Sequence, residues 1–214
     1  MNIQLYYHPF TCAMAPYITL TEADAEFEVR AINLRTQEHR SPEFLKINPK
    51  HKVPVLIVDD EILTENVAMH LWISRAFPDA GILPSQAWEQ AQAVSILAWC
   101  SSGIHPFLSR INLPVKVSDV DGTSESVVRL ASEALNECFA IADNLLAGSE
   151  YFFDNFSAPD AHFFWCTRRA TQLNVDPSPY PNVTAHFERM KARPSVQKLL
   201  AFEKETIEAF KKMA

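Results

Sequence analysis

The chain has 214 residues, 48% of them hydrophobic, which allows one large domain or two small ones with a packed core. Its net charge of −7 disfavours nucleic acid as a partner, because phosphates demand a basic face. No stretch approaches the ~18–20 apolar residues of a membrane span. The start, Met1-Asn2-Ile3-Gln4-Leu5, carries neither the basic nor the apolar part of a secretory leader, and the expected location is the cytoplasm.

In chain order, residues 3–7 read as a short strand and 12–25 as a helix. Residues 27–32 alternate apolar and polar like a second strand. A polar loop over 35–41 leads to a short helix over 42–47. Residues 54–58 and 61–63 form a hairpin across Asp59-Asp60, and a helix follows over 65–77. The breaker-rich run Pro78-Asp79-Ala80-Gly81-Ile82-Leu83-Pro84-Ser85 reads as a linker. Beyond residue 87 the pattern is helical throughout, with candidate helices over 87–109, 124–147, 158–173, 180–192 and 195–212. Ser157-x-x-Asp160 before an apolar run is a capping box. The domains expected are 1–78, a linker over 79–86, and a helical domain over 87–214.

Chemistry concentrates in the first third. Four cysteines (12, 100, 138 and 166) stand too far apart for a disulfide framework or a zinc site, so reduced thiols and no metal are expected. Only four glycines occur and none builds a phosphate loop, which removes dinucleotide and P-loop enzymes. Cys12 stands where the first strand hands over to a helix, and a helix N-terminus favours the thiolate. Lys52-Val53-Pro54-Val55-Leu56 breaks an apolar run with a proline at a strand entry, where a cis X-Pro bond would be a deliberate feature. Leu63-Thr64-Glu65-Asn66 places an acid and an amide at a helix N-terminus, a natural carboxylate site.

These pieces resemble cytosolic glutathione transferases. So do Tyr6-Tyr7-His8-Pro9-Phe10-Thr11-Cys12-Ala13-Met14-Ala15-Pro16, Ile47-Asn48-Pro49-Lys50 and Phe156-Ser157-Ala158-Pro159-Asp160-Ala161, and the likeness runs in order over nearly the whole chain, nearest to the bacterial beta class. The resemblance implies an α/β thioredoxin-like N-terminal domain (βαβαββα) followed by an all-α domain. It implies glutathione as co-substrate, a small apolar electrophile as second substrate, and a homodimer. Carried over residue by residue, it assigns Cys12 to catalysis at the glutathione sulfur and His105 to catalysis at that sulfur or at a substrate oxygen. It assigns His51, Lys52, Val53, Pro54, Glu65 and Asn66 to glutathione binding. Val53 would pair with the cysteinyl backbone, Glu65 would take the γ-glutamyl ammonium, and Asn66 would donate to its carboxylate. His51 and Lys52 would meet the glycyl carboxylate. Thr11, Tyr6 and Tyr7 stand as rivals to Cys12, because other classes use a hydroxyl. Ala15 stands where a dithiol oxidoreductase carries its second cysteine, so Cys12 has no internal resolving partner. Two alternatives stay open: a thiol–disulfide oxidoreductase using Cys12 covalently, and a non-enzymatic scaffold of the same fold.

Overall fold

The structure, a computed structural model, describes residues 1–212. Its contacts gather into two compact units, one of Met1–Ser85 with Lys191–Ala214 and one of Gln86–Met190.

The first unit is built on a four-stranded mixed sheet of order β2-β1-β3-β4. Strand β1 (Ile3–Tyr7) lies parallel to β2 (Glu28–Ala31) and antiparallel to β3 (Val55–Val58), which pairs antiparallel with β4 (Glu61–Thr64). Asp59 and Asp60 both have positive φ (45° and 74°), the twist a two-residue hairpin needs between right-twisted strands. Helix α1 (Met14–Glu22) starts two residues later than the sequence indicates and leaves Cys12 in the preceding turn. It stops at Asp24, whose positive φ lets Ala25 N–H reach back to Leu20 C=O. Helix α2 (Pro42–Ile47) is capped by Ser41 Oγ, which accepts from Phe44 N–H. Under the sheet Tyr6, Ile32, Phe44 and Val55 form a buried cluster.

Helix α3 (Asn66–Ala76) buries Asn66, Met69, His70 and Ile73. The apolar spacing of this helix predicts Val67, Leu71 and Ile73 inward, with some of Met69, Trp72 and Phe77 facing a partner. Ile73 and Met69 are buried, while Val67, Leu71, Trp72 and Phe77 are half-buried. Two polar residues stand on the inward stripe and disguise its i, i+3, i+4, i+7 spacing. The expected linker is also less loose than its breakers indicate, because Ile82 and Leu83 are buried.

In the second unit, α4 (Ala87–Trp99), a π-helical segment (Cys100–Ile104) and α5 (His105–Asn112) replace the single helix expected over 87–109. Pro106 has no N–H to continue the ladder, which locates the break. Trp99 packs so closely on Gly103 that a Cβ there would lie 2.4 Å from the ring. Helix α6 (Ser124–Leu145) and α8 (Pro181–Ala192) accompany α7 (Ala158–Gln172), which is buried almost all round for its first ten residues. The capping box at α7 forms: Ser157 N–H and Oγ both donate to Asp160 Oδ2, at 2.8 and 2.9 Å.

The last helix, α9 (Pro194–Lys212), packs on α1 and groups with the first unit, whereas the sequence reading placed it in a helical domain over 87–214. Its anchors are 171 residues or more from their partners. Arg193 makes a two-pronged pair with Glu22 (2.9 and 2.7 Å), Ser195 Oγ also donates to Glu22, and Glu203 accepts from Tyr7.

Candidate functional site

Cys12 sits on the turn between β1 and α1, and Ala15 N–H donates to its carbonyl at 3.2 Å. The side-chain amide of Asn66, from the start of α3, donates to the same carbonyl at 3.2 Å. Two helix N-termini therefore converge on one peptide group. The thiol itself is buried, and burial pushes it up to about 12; the Asn66 hydrogen bond and Lys52 pull the other way, while Glu65 adds to the rise. This corrects the expected thiolate, because desolvation of an anion outweighs a helix-terminal dipole here. Burial therefore favours the neutral S–H form of Cys12.

The rival side chains are placed elsewhere, and two of their hydroxyls, on Tyr7 and Thr11, are already bonded. Tyr6 packs edge-on against Phe44 in the core, at 6.0 Å between ring centres. Tyr7 is fully buried and its hydroxyl donates to Glu203 Oε2 at 2.9 Å. Thr11 Oγ1 donates to His8 C=O at 2.7 Å and so belongs to the turn.

The Val53–Pro54 peptide is cis. The β3 ladder begins at Val55, so Val53 stands outside it at the strand entry. The loop before it is organised by Asn48, a buried residue whose role the sequence alone did not reveal. Its Nδ2 donates to Lys52 C=O at 2.7 Å, and its Oδ1 accepts from Lys50 N–H at 3.1 Å. His51 adopts a left-handed φ of 57°, and its Nδ1 is buried without a hydrogen-bond partner.

Glu65 also has a left-handed backbone (φ 75°), a conformation that costs a non-glycine residue and gathers at functional sites. Its carboxylate is exposed and paired with Lys50 Nζ at 2.5 Å, and Lys50 also donates to Thr64 Oγ1 at 2.8 Å. Lys50 is thus a neighbour of the site that the sequence reading did not select. Exposed pairs of this kind contribute only ~0–1 kcal/mol. A ligand ammonium can therefore take over the Glu65 carboxylate at small cost. Asn66 departs from its expected role, since its amide turns inward to Cys12 and its Oδ1 is buried without a partner. What α3 offers a carboxylate is the backbone N–H groups of its first turn, which have no intrahelical acceptor.

Cys12, Lys52, Val53, Pro54, Glu65 and Asn66 thus belong to neighbouring edges of the first unit, with His51 in the same loop. His105 lies in the second unit as the first residue of α5, its ring edge-on against Trp165 at 4.6 Å. Of the aromatic residues whose helical spacing predicts a core position, Phe163 and Trp165 are buried, whereas Trp99 and Phe107 are only half-buried. Among the described residues no group of three or more His, Cys, Asp or Glu could hold a metal ion, and no helix is long and apolar enough to cross a membrane.

Two family models match the chain: the glutathione S-transferase N-terminal domain over residues 1–75 and the C-terminal domain over residues 101–194. The glutathione S-transferase GST-4.5 of Xanthomonas campestris is 28% identical over 203 residues, covering 94% of this chain and 98% of its own. A glutathione transferase homolog from Sulfitobacter, solved with bound glutathione, superposes with a TM-score of 0.87 at 26% identity, over 93% of this chain and 97% of that one. The beta class glutathione S-transferase of Sphingomonas chungbukensis gives 0.80 at 31% identity, over 94% and 98%. With two domain models in the expected order and relatives matched over nearly their full length, the chain belongs to the glutathione S-transferase family.

Proposed function

We propose that this chain is a glutathione S-transferase that conjugates the thiolate of glutathione to small apolar electrophiles, and that it acts as a cytoplasmic homodimer. The observation that carries the chemistry is the buried, neutral Cys12 held on Asn66, beside the Glu65 turn. A neutral S–H donates a hydrogen bond to a ligand sulfur and stabilises that sulfur as the thiolate, which is where charge resides before attack. The thiolate then forms the new bond to the electrophilic carbon as the leaving group departs. Glu65 receives the ligand ammonium, the first turn of α3 receives its α-carboxylate, and Val53 pairs with the peptide backbone as an added strand does. His51 and Lys52 are retained for the glycyl carboxylate, and His105 as a contributor from the second unit.

The covalent alternative is less favoured. Burial holds the Cys12 thiol protonated, and the thiolate is the form that attacks a disulfide. Two measurements test the reading. Glu65→Ala is expected to weaken glutathione binding by ~1–3 kcal/mol in calorimetry, through loss of a charge-assisted contact. Cys12→Ala is expected to lower turnover with an aryl halide, while mass spectrometry of the wild type with glutathione disulfide finds no adduct on Cys12. Full activity in a folded Cys12→Ala variant, together with a stoichiometric adduct in the wild type, would reverse the assignment.

A further inference from the structure

We propose that Glu203, on α9, is a positioning residue for the loop that carries Cys12; the inference rests on the reading of Cys12 given above. Residues His8, Pro9, Phe10 and Thr11 form a tight turn, closed by Thr11 N–H to His8 C=O at 3.3 Å. Pro9 occupies the second position of that turn and Phe10 the third, with φ 65°. A positive φ after proline is the position that ordinarily selects glycine, and a bulky aromatic residue adopts it only where its surroundings impose it. What imposes it is visible. Phe10 N–H donates to Glu203 Oε2 at 2.9 Å, and the Tyr7 hydroxyl donates to the same oxygen at 2.9 Å. Glu203 is only 2% exposed. The turn feeds directly into the site, because Thr11 C=O accepts from Met14 N–H and Cys12 C=O from Ala15 N–H. A shift of Phe10 therefore shifts Cys12, two residues on.

Packing alone does not account for an acid at this place. The helix beside it packs on aromatic rings: Tyr7 and Tyr17 both pack on the neighbouring Phe202, at 5.7 and 5.6 Å, and Tyr7 reaches Glu203 itself. An apolar side chain of equal volume would fill such a space without the cost of burying a carboxyl group. The carboxyl group adds a fixed acceptor aimed at one backbone N–H of the loop. The helix that delivers it is itself held in register by the Arg193–Glu22 pair at its start and by the stacking of Phe210 on His8 near its end, at 5.9 Å between ring centres.

The test uses the full chain and three variants, the third of which adds Phe10→Gly to Glu203→Met. Glu203→Met keeps the volume and removes both acceptors, while Glu203→Gln keeps one oxygen. In Glu203→Met the alkylation of Cys12 by iodoacetamide, mapped by peptide mass spectrometry, is expected to quicken about tenfold. Turnover with an aryl halide is expected to fall by about the same factor at little-changed KM for glutathione, the signature of a displaced reacting group. Glu203→Gln should restore most of both. In a Glu203→Met background, Phe10→Gly should also recover activity, because glycine adopts φ 65° without support. A Glu203→Met variant that loses only thermal stability, with wild-type alkylation and turnover, would make Glu203 merely structural and overturn the inference. If Glu203→Met does not fold, hydrogen exchange of the wild type decides. The Phe10 amide should exchange as slowly as those of β1, and exchange at the rate of an open loop overturns the inference. Alkylation and exchange need no glutathione, so a wild type that conjugates nothing would sink the proposed function while leaving this test intact.

Discussion

Cys12 and His70 are both buried, and burial moves them in opposite directions because one ionises to an anion and the other to a cation. His70, which lies 3.2 Å from Thr19 Oγ1 by its Nδ1, is pushed down to about 3 by burial. The unfolded chain takes up this proton below its ordinary 6.5, and the folded protein refuses it until about 3. The stability it contributes is therefore complete above pH 6.5 and is lost as the pH falls through that window, by about 1.4 kcal/mol per pH unit. Glu22 acts lower: burial pushes it up, but the Arg193 and Ser195 hydrogen bonds pull it below its ordinary 4.5. His8, shifted down mainly by burial, adds to the same upper window. Urea midpoints measured from pH 7 to 5 should fall, and should fall less in a folded His70→Gln variant; equal slopes would remove His70 as a source. Neither shift is legible in the sequence. A helix N-terminus beside Cys12 can be read from residue order, but the desolvation that overrides it depends on what α3 lays against the thiol.

At the scale of elements, the start of α7 shows what a local motif can and cannot announce. Ser157 and Asp160 are three residues apart, and their reciprocal bonding is readable from that spacing alone. Asp160 has further work, however. Its Oδ1 accepts from Phe152 N–H at 3.1 Å and lies 3.0 Å from His186 Nε2 on α8, and both Asp160 and His186 are fully buried. Ser157→Ala should cost about 1 kcal/mol, the ordinary loss of a cap. Asp160→Ala should cost ~3–5 kcal/mol, because several buried donors lose their acceptor together. Guanidinium unfolding of the two variants measures the difference, and equal costs would reduce Asp160 to a simple cap. The break between α4 and α5 was signalled in the same local way by Pro106, although the 87–109 periodicity concealed it.

For the whole molecule, the apolar residues that stay exposed bear on assembly. Leu130, Ile141 and Leu145 are 55%, 51% and 50% exposed and fall on one stripe of α6, an amphipathic helix that buries a different stripe. Such a stripe is a candidate subunit face; of the α3 residues expected to face a partner, Met69 is absorbed by the core of the first unit, while Trp72 and Phe77 stay half-buried. Light scattering at micromolar concentration should return about twice the chain mass of 24.2 kDa; a constant monomer across a dilution series would refute the homodimer. The Pro54 strand entry and the Glu65 helix start were readable because each is written in a few consecutive residues. The allegiance of α9 was not, since Arg193, Ser195 and Glu203 meet partners from the opposite end of the chain and an amphipathic helix does not name the surface it covers.

That allegiance has a consequence for how the protein is made. A ribosome releases residues in chain order, so β1, α1 and the Cys12 turn emerge with their sheet partners long before α9 is synthesised. Contacts that join the two ends of a chain carry the largest loop-closure cost and form late. Until residues 193–203 arrive, Glu22 lacks its guanidinium and Phe10 lacks its acceptor. The nascent first unit can hold a sheet, yet the turn that aims its thiol is completed only by the last helix, so a truncated product would be folded in outline and unfinished at its reactive edge.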